Sequence, residues 1–190
     1  TAAGMRRMEI PTLLNGLLTE EISVNDFITI NTHSSIKLSG EKTVYCDPFE
    51  IVDSSHDADI ILVTHSHFDH YSKDDIKKIR KDSTVFVLPL SMKNEAEEDN
   101  TVFLSAGESA DVLGVHIEAV PAYNINKNFH PKSNGWLGYV ITLNGKRVYI
   151  AGDTDRIPEN ESISCDIAMV PVGGTYTMMP DEAAGFVNAL

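Results

Sequence analysis

The sequence predicts a strand-rich, layered α/β domain, and three observations support this fold class. Short runs of β-branched and aromatic residues recur between turn-forming residues along most of the chain. Two nearly continuous apolar runs, ADIILVTH at 58–65 and CDIAMVPVGG at 165–174, are typical of strands buried on both faces. A length of 190 residues with 42% hydrophobic content describes one globular domain over residues 1–190.

The strands are predicted from residue type and spacing, in chain order. DFITIN, SIKLSG and KTVYCDPF come first and are separated by turn-forming residues. ADIILVTH, TVFVLP and HIEAVPAY follow. WLGYVITLNGKRVYIAGDTD predicts a hairpin, because Asn144-Gly145 is the kind of pair that two-residue hairpin turns prefer. CDIAMVPVGG is the last predicted strand.

Three segments predict helices. Ser72 with Asp75 three positions later forms a capping box, which predicts a helix from there to about Arg80. SMKNEAEED at 91–99 predicts a short acidic helix, and PDEAAGFVNAL at 180–190 predicts the start of another. The helices are thus few and lie between or after strands.

The composition disfavours several classes of partner. Fifteen basic and 28 acidic residues give a net charge of −13, which repels phosphate backbones and anionic lipid. Nucleic acid is therefore disfavoured, and no apolar run approaches the ~18 residues of a membrane span. Cys46 and Cys165 lack CxxC spacing, so neither a disulfide framework nor a thiolate zinc site is indicated. We expect a cytoplasmic protein with a small-molecule substrate, and interpret TAAG at 1–4 as a cloning remnant.

The segment THSHFDH places potential metal ligands directly after a predicted buried strand. His65 and His67 are two positions apart, so their imidazoles project to the same side of an extended strand and can chelate one ion. Asp69 and His70 follow in the turn, where a carboxylate and an imidazole suit a second divalent cation. A His-rich solvated loop is the alternative, and the complete HxHxDH spacing argues against it.

With these residues the chain resembles the metallo-β-lactamase-fold hydrolases, most of all the group that contains ascorbate-6-phosphate lactonase. The resemblance continues through THSS at 32–35, DPF at 47–49, GDTD at 152–155, and DIAMVPVGGTYTM at 166–178 followed by DEAA. It implies an αββα sandwich in which two β-sheets lie between helices, with two metals at one edge. The function that it implies is metal-dependent hydrolysis.

The resemblance also implies which residues bind the metals. His65 and His67 would bind the first metal, Asp69 and His70 the second, and Asp153 would bridge both. Family members carry a histidine after a strand like HIEAVPAY, often directly after the alanine, where this chain has AYN. His130 is therefore our candidate for the third ligand of the first metal, since it lies between that strand and GYVI.

The remaining polar residues keep alternatives open. We expect His56 and His116 to be structural or solvent-exposed. His33 either caps a loop or lies near the metals, and Asp47 is either a turn residue or orients a metal ligand. Three residues of the loop near the proposed site either contact substrate or only fill a polar loop: Tyr123, Asn124 and Lys127.

The predicted mechanism is hydrolysis at two divalent ions. Zinc suits an imidazole-rich site, and Mn²⁺ or Fe²⁺ is compatible with the carboxylates. Such ions lower the pKa of a bound water towards ~7, and Asp69 would orient that water or accept its proton. Suitable substrates are a small ester, lactone, amide or phosphodiester. A metal-dependent nuclease of the same fold and a truncated metal-binding protein without turnover are the alternatives.

The last expectation concerns the end of the chain. Family members continue past DEAA into a further strand that ends in a histidine, whereas this chain ends at Leu190. We therefore expect that the C-terminal part of the fold is missing and that the second metal lacks its final ligand. We also expect weak second-metal binding, poor turnover and self-association into a homo-oligomer through the uncovered sheet edge.

Overall fold

The computed structural model describes residues 22–24 and 26–190, which form two β-sheets packed against each other. The prediction for residues 1–4 lies outside this range. Within it, none of the helices has the length and apolar character needed to cross a membrane.

The first sheet has seven strands in the order in which they occur along the chain. Its first strands pair antiparallel up to the fourth, and the fourth to seventh pair parallel. The parallel half therefore brings the carboxyl ends of several strands to one edge. The strands are β1 Ile22–Val24, β2 Ile28–Thr32, β3 Ser35–Ser39, β4 Thr43–Cys46, β5 Ala58–Leu62, β6 Arg80–Pro89 and β7 Thr101–Leu104.

The second sheet has five strands, of which the first four form an antiparallel meander and the last pairs parallel with its neighbour. The predicted hairpin is present, because Asn144 and Gly145 connect the third and fourth strands with φ angles of 51° and 70°. Positive φ at both positions matches the twist of the two strands. The strands are β8 Ser109–Val112, β9 Val115–Pro121, β10 Leu137–Leu143, β11 Lys146–Ile150 and β12 Ile167–Met169.

Two α-helices complete the described fold: α1 Lys73–Ile79 and α2 Pro180–Val187. The prediction of a cap at Ser72 is confirmed, since its side chain accepts a hydrogen bond from the backbone N–H of Asp75. The predicted acidic helix at 91–99 was wrong, because that region has only a 3-10 turn, Leu90–Met92. Its acidic residues accumulate towards the C-terminal end, where the helix dipole disfavours negative charge.

Three apolar clusters give the molecule its layers. The largest lies between the two sheets, where the Tyr139 hydroxyl also donates a hydrogen bond of 2.9 Å to the carbonyl of Val63. A second cluster packs α1 on the outer face of the first sheet, and a third packs α2 on the outer face of the second. The predicted αββα sandwich is thus confirmed.

One strand differs from its expected environment. CDIAMVPVGG was predicted as a strand buried on both faces, but only β12 is extended and its three residues are half-buried. Among the described residues β12 is the last strand of its sheet, so a neighbour covers only one of its edges. The apolar run is explained by packing on both faces, with Ile167 and Met169 against the central cluster and Ala168 and Val170 against the α2 cluster.

Candidate metal centre

Loops at one edge of the sandwich bring the predicted ligands together. The HxHxDH segment follows β5, His130 lies between β9 and β10, and Asp153 follows β11. The two sheets are joined at this edge, where the backbone N–H of Leu137 donates to the carbonyl of Thr64 over 3.0 Å. Residues far apart in the chain therefore converge at the ends of β5, β10 and β11.

His65, His67 and His130 form the first group. One nitrogen from each ring lies within 4.8 Å of the others. His65 Nε2 and His67 Nδ1 are 3.0 Å apart. Two ring nitrogens this close repel each other through their lone pairs unless a proton or a cation lies between them. The three imidazoles therefore form a donor set that can hold one cation.

A second group lies next to the first and includes carboxylates. The potential ligand atoms of His33, Asp69 and His70 lie within 4.8 Å of one another, as do those of His65, His70 and Asp153. His33 Nε2 is 3.0 Å from Asp69 Oδ2. The structure thus places His33 beside the carboxylate that the sequence assigns to the second metal.

Asp153 lies between the two groups. Its Oδ1 is 3.7 Å from His70 Nε2, and its Oδ2 is 3.2 Å from His130 Nε2. One carboxylate oxygen therefore faces each group, which is the arrangement of a carboxylate shared by two cations. The predicted bridging position is geometrically available to Asp153.

Hydrogen bonds fix how the buried rings are oriented. His70 Nδ1 donates to Asp47 Oδ2 over 2.7 Å. His65 Nδ1 donates to Thr64 Oγ1 over 2.9 Å, and that hydroxyl donates onward to Asp47 Oδ2 over 2.7 Å. Because each Nδ1 carries the proton of such a bond, Nε2 is the nitrogen left to face the cluster. Asp47, buried and with φ of 50°, supports both rings.

The ring nitrogens of the cluster indicate whether these residues fit metal ions. His70 Nε2 and His130 Nε2 are buried and have no hydrogen-bond partner among the described residues. Burying such a polar atom without a partner is costly, and a coordinated cation removes that cost. Imidazole nitrogens together with carboxylate oxygens are a donor set for zinc, manganese or iron. The residues present therefore fit divalent metals.

The electrostatics of the cluster also favour bound cations. Burial, together with the neighbouring His70, lowers the pKa of His65, and burial and His130 lower that of His67. Burial alone would raise the pKa of Asp153, but its contacts with His130 and His70 outweigh burial and lower it. His65 and His67 are therefore deprotonated and available as ligands at neutral pH.

His70 has the opposite shift. Burial would lower its pKa, but the carboxylates of Asp47, Asp153 and Asp69 outweigh burial and raise it. The carboxylates around the His70 ring thus favour positive charge at this position. A divalent cation supplies that charge in place of the proton.

Gly152 allows the close approach of the loop that carries Asp153. Its φ is +64°, and a Cβ atom there would lie 2.9 Å from the Cβ of Thr64. We expect Gly152→Ala to lower the free energy of unfolding by about 2–4 kcal/mol, from left-handed strain and overpacking. Urea unfolding measures this. Gly114→Ala is the control, since its φ is +88° with nothing within 4 Å, and equal losses in the two variants would contradict the steric part of the argument.

The other predicted residues have different positions. His56 is exposed and contacts the carbonyl of Arg80, and His116 contacts Asp111 on the surface, as expected. The Tyr123 hydroxyl donates to Glu159, and Lys127 contacts Asp155 over 2.6 Å.

Trp136 belongs to the site but was missed in the sequence. Its ring centroid is 4.8 Å from those of His65 and His67 and 5.6 Å from that of His130. It therefore forms an apolar wall against the first group. The available signal was its position as the only tryptophan, at the end of the loop that carries His130.

Comparison with known sequences gives one consistent family. A model of the beta-lactamase superfamily domain matches residues 27–190. A UPF0173 metal-dependent hydrolase from Thermococcus onnurineus is 31% identical, over 83% of this chain and 77% of its own length. Another from Korarchaeum cryptofilum is 32% identical, over 86% of this chain and 78% of its own.

Solved structures agree with these sequences. A protein from Parabacteroides distasonis, named as a metal-dependent hydrolase, has a TM-score of 0.78 and 34% identity, covering 85% of this chain and 76% of its own. A protein from Thermotoga maritima, named as a zinc-dependent hydrolase of the metallo-β-lactamase superfamily, has a TM-score of 0.57 and 25% identity, covering 86% and 70%.

Proposed function

Because the chain belongs to the UPF0173 metal-dependent hydrolase family of the metallo-β-lactamase superfamily, we propose that it hydrolyses a small ester, lactone, amide or phosphodiester at two divalent cations. Hydrolysis with the help of metal is the activity of this family by name. The number of ions, their identity and the substrate are the parts that we propose. The observation that carries the proposal is Asp153, whose two oxygens face two separate groups of ligands.

We assign the ligands from this geometry. His65, His67 and His130 would hold the first cation, Asp69 and His70 would hold the second, and Asp153 would be shared between them. His33 is proposed as a further ligand of the second cation, because its Nε2 already lies 3.0 Å from Asp69 Oδ2. Besides the shared Asp153, the second site then has three ligands, Asp69, His70 and His33.

The chemistry divides between the metals and the protein. Divalent cations, when bound, supply an activated water at neutral pH and polarise a carbonyl or phosphoryl oxygen. Asp69 orients the attacking water and accepts its proton, since its carboxylate lies at the edge of the second group and is only partly buried. Trp136 excludes water from one side of the first group, which strengthens the electrostatic interactions there.

The surface beside the cluster supports a substrate with an apolar portion. Phe68, between His67 and Asp69 in the chain, is 77% exposed. Its ring contacts that of Phe49 edge to face, with centroids 6.0 Å apart. The net charge of −13 disfavours the alternative of a nuclease. A small molecule as substrate, a cytoplasmic location and a homo-oligomer remain predictions.

Zinc is our proposal for the metal, and the name of the Thermotoga maritima protein supports it. Manganese and iron are the alternatives that the carboxylates allow. The resemblance of the chain to the ascorbate-6-phosphate lactonase group also stays a prediction, since the relatives given above are named only as metal-dependent hydrolases. It places lactones, including sugar-phosphate lactones, in the set of substrates to test.

The experiment is a substrate panel on protein that has been stripped of metal with a chelator and reloaded with Zn²⁺, Mn²⁺ or Fe²⁺. The panel contains chromogenic esters, lactones, amides, phosphodiesters and single-stranded DNA. We expect turnover of one small-molecule class that disappears on chelation and returns with one metal. Turnover that survives chelation would contradict the proposal, and cleavage of DNA alone would favour the nuclease.

Asp47→Asn should weaken metal binding although Asp47 is not a proposed ligand. Asp47 Oδ2 accepts from both His70 Nδ1 and Thr64 Oγ1, and an amide there cannot accept both bonds without turning a donor towards Thr64 N–H. We expect the affinity for the second cation to fall about 10–100-fold. Competition with a chromogenic chelator measures this affinity. Asp111→Asn, which alters the exposed contact with His116, is the matched control, and equal affinities in the two variants would contradict the role of Asp47.

A further inference from the structure

The loop that carries His130 is tied to the second aspartate of GDTD. Asp155 is 8% exposed and accepts three hydrogen bonds from this loop. They come from Asn124 Nδ2 at 3.2 Å, the backbone N–H of Ile125 at 2.9 Å and Lys127 Nζ at 2.6 Å. Its own backbone N–H donates to the carbonyl of Tyr123 over 2.9 Å. Asp155 therefore contacts the loop at four residues between 123 and 127, although it is not among the proposed metal ligands.

The orientation of the Asn124 amide follows from its partners. Its Nδ2 faces Asp155 Oδ1 and the carbonyl of Tyr176, at 3.2 and 3.0 Å, and both of these atoms only accept. Its Oδ1 faces the backbone N–H of His130 at 3.0 Å, which only donates. The opposite orientation would place the amide oxygen against the two acceptors and the amide NH₂ against the N–H of His130. Asn124, 6% exposed, therefore has its oxygen towards His130.

This orientation determines which nitrogen of His130 carries the proton. His130 Nδ1 lies 3.1 Å from Asn124 Oδ1, so it must donate. The lone pair is then on Nε2, the buried nitrogen that faces His65, His67 and Asp153 without a hydrogen-bond partner in the described chain. A relay thus runs from Asp155 through Asn124 to the ring of His130.

We propose that Asp155 is a positioning residue for the first metal site: through the Asn124 amide it holds His130 in the tautomer whose Nε2 can bind a cation. This inference rests on the proposed role of His130 as a ligand. Without the Asp155 carboxylate, the Asn124 amide has one fewer acceptor to fix its orientation. The His130 ring can then carry its proton on Nε2, the nitrogen that faces the cluster. The ion pair with Lys127 anchors Asp155 itself.

The test measures the tautomer directly in metal-free protein. Long-range ¹H–¹⁵N spectra distinguish Nδ1–H from Nε2–H rings, and His130→Gln identifies the signals of His130. We expect the Nδ1–H form in the unaltered chain, and a mixture of the two forms in Asp155→Asn and in Asn124→Ala. Unchanged His130 signals in both variants would overturn the proposal. This measurement requires neither metal nor substrate, so it can fail independently of the proposed hydrolysis.

Metal binding provides the second measurement. We expect Asp155→Asn and Asn124→Ala each to weaken the first Zn²⁺ about 10–100-fold, as loss of an orienting partner does. Because both act through one relay, the double variant should lose little more than either single variant. Additive losses would indicate separate, merely structural roles and would overturn the relay.

The control is another aspartate that accepts a hydrogen bond from a backbone N–H, at the opposite end of β11. Asp166 Oδ2 accepts from the backbone N–H of Arg147, near the start of β11 and away from the end that leads to Asp153. Asp166→Asn should leave the His130 signals and the Zn²⁺ affinity unchanged. Asn124→Ala preserves the Lys127–Asp155 ion pair, so the relay remains testable even where Asp155→Asn does not fold.

Discussion

Asp153→Asn is expected to abolish hydrolysis and to release one of the two proposed cations. The variant retains the size of the side chain but removes its negative charge from between two groups of imidazoles. Loss of one partner of a buried charged pair costs about 3–5 kcal/mol, or a factor of about 10²–10⁴ in affinity. The second site should lose more, because one of its three remaining ligands, His33, is half-exposed, whereas the first retains buried His65 and His130.

Metal analysis of the purified protein measures this result, together with the substrate panel after reloading with metal. We expect two ions per chain in the unaltered protein and one in Asp153→Asn, with turnover reduced to background. Asp166→Asn is the control, since it removes one charge near the other end of β11. Unchanged metal content in Asp153→Asn would exclude Asp153 from the centre, whatever its activity.

The local part of this site could be predicted from the sequence. HxHxDH lies within six residues after one buried strand, and the period of a strand alone places His65 and His67 on the same side. Asp153 likewise follows β11 directly. His130 was predicted from its position between two strands, and the structure brings it to 5.2 and 5.1 Å from His65 and His67 between ring centroids.

The parts that sequence reasoning left open or missed depend on contacts across the fold. The position of His33 was left open, and His33 and Asp69 are 36 positions apart. The contact of Asp155 with Asn124, which was missed, spans 31 positions. No local period relates such residues, because their contact depends on which loops the two sheets bring to one edge. Trp136 was missed for the same reason. The acidic helix at 91–99 was wrong because its charge pattern opposes the helix dipole, a term that composition does not reveal.

The layers of the fold were easier to predict than their limits. Alternation and apolar runs identified the strands that pack on the central core, such as β5 and β10, because burial selects their side chains directly. β1, β7 and β8 were not predicted. For β8 the reason is that SADV has no run of β-branched residues and its pairing with β9 supplies the stability. The half-burial of β12 reflects its place in the sheet, which its own sequence does not encode.

His67→Ala is expected to remove most of the metal from the first site while the fold is retained. The His67 ring is half-buried, so its truncation leaves a smaller cavity than the loss of fully buried His65. His67 Nδ1 is 3.0 Å from His65 Nε2, and without it the first cation retains only His65, His130 and the shared Asp153. We expect its affinity to fall by more than about 100-fold, because loss of a ligand exceeds the loss of an orienting partner.

The control for this variant is His116→Ala, which truncates a histidine that contacts Asp111 on the surface. Both proteins are purified without chelator, compared for metal content and titrated with zinc in competition with a chromogenic chelator. The first site should be affected more than the second, since Asp69, His70 and Asp153 are intact in His67→Ala. Equal metal content in the two variants would exclude His67 as a ligand. Equal loss from both sites would mean that the two groups bind metal as one unit. Only a shared centre transmits the loss of one imidazole to both sites.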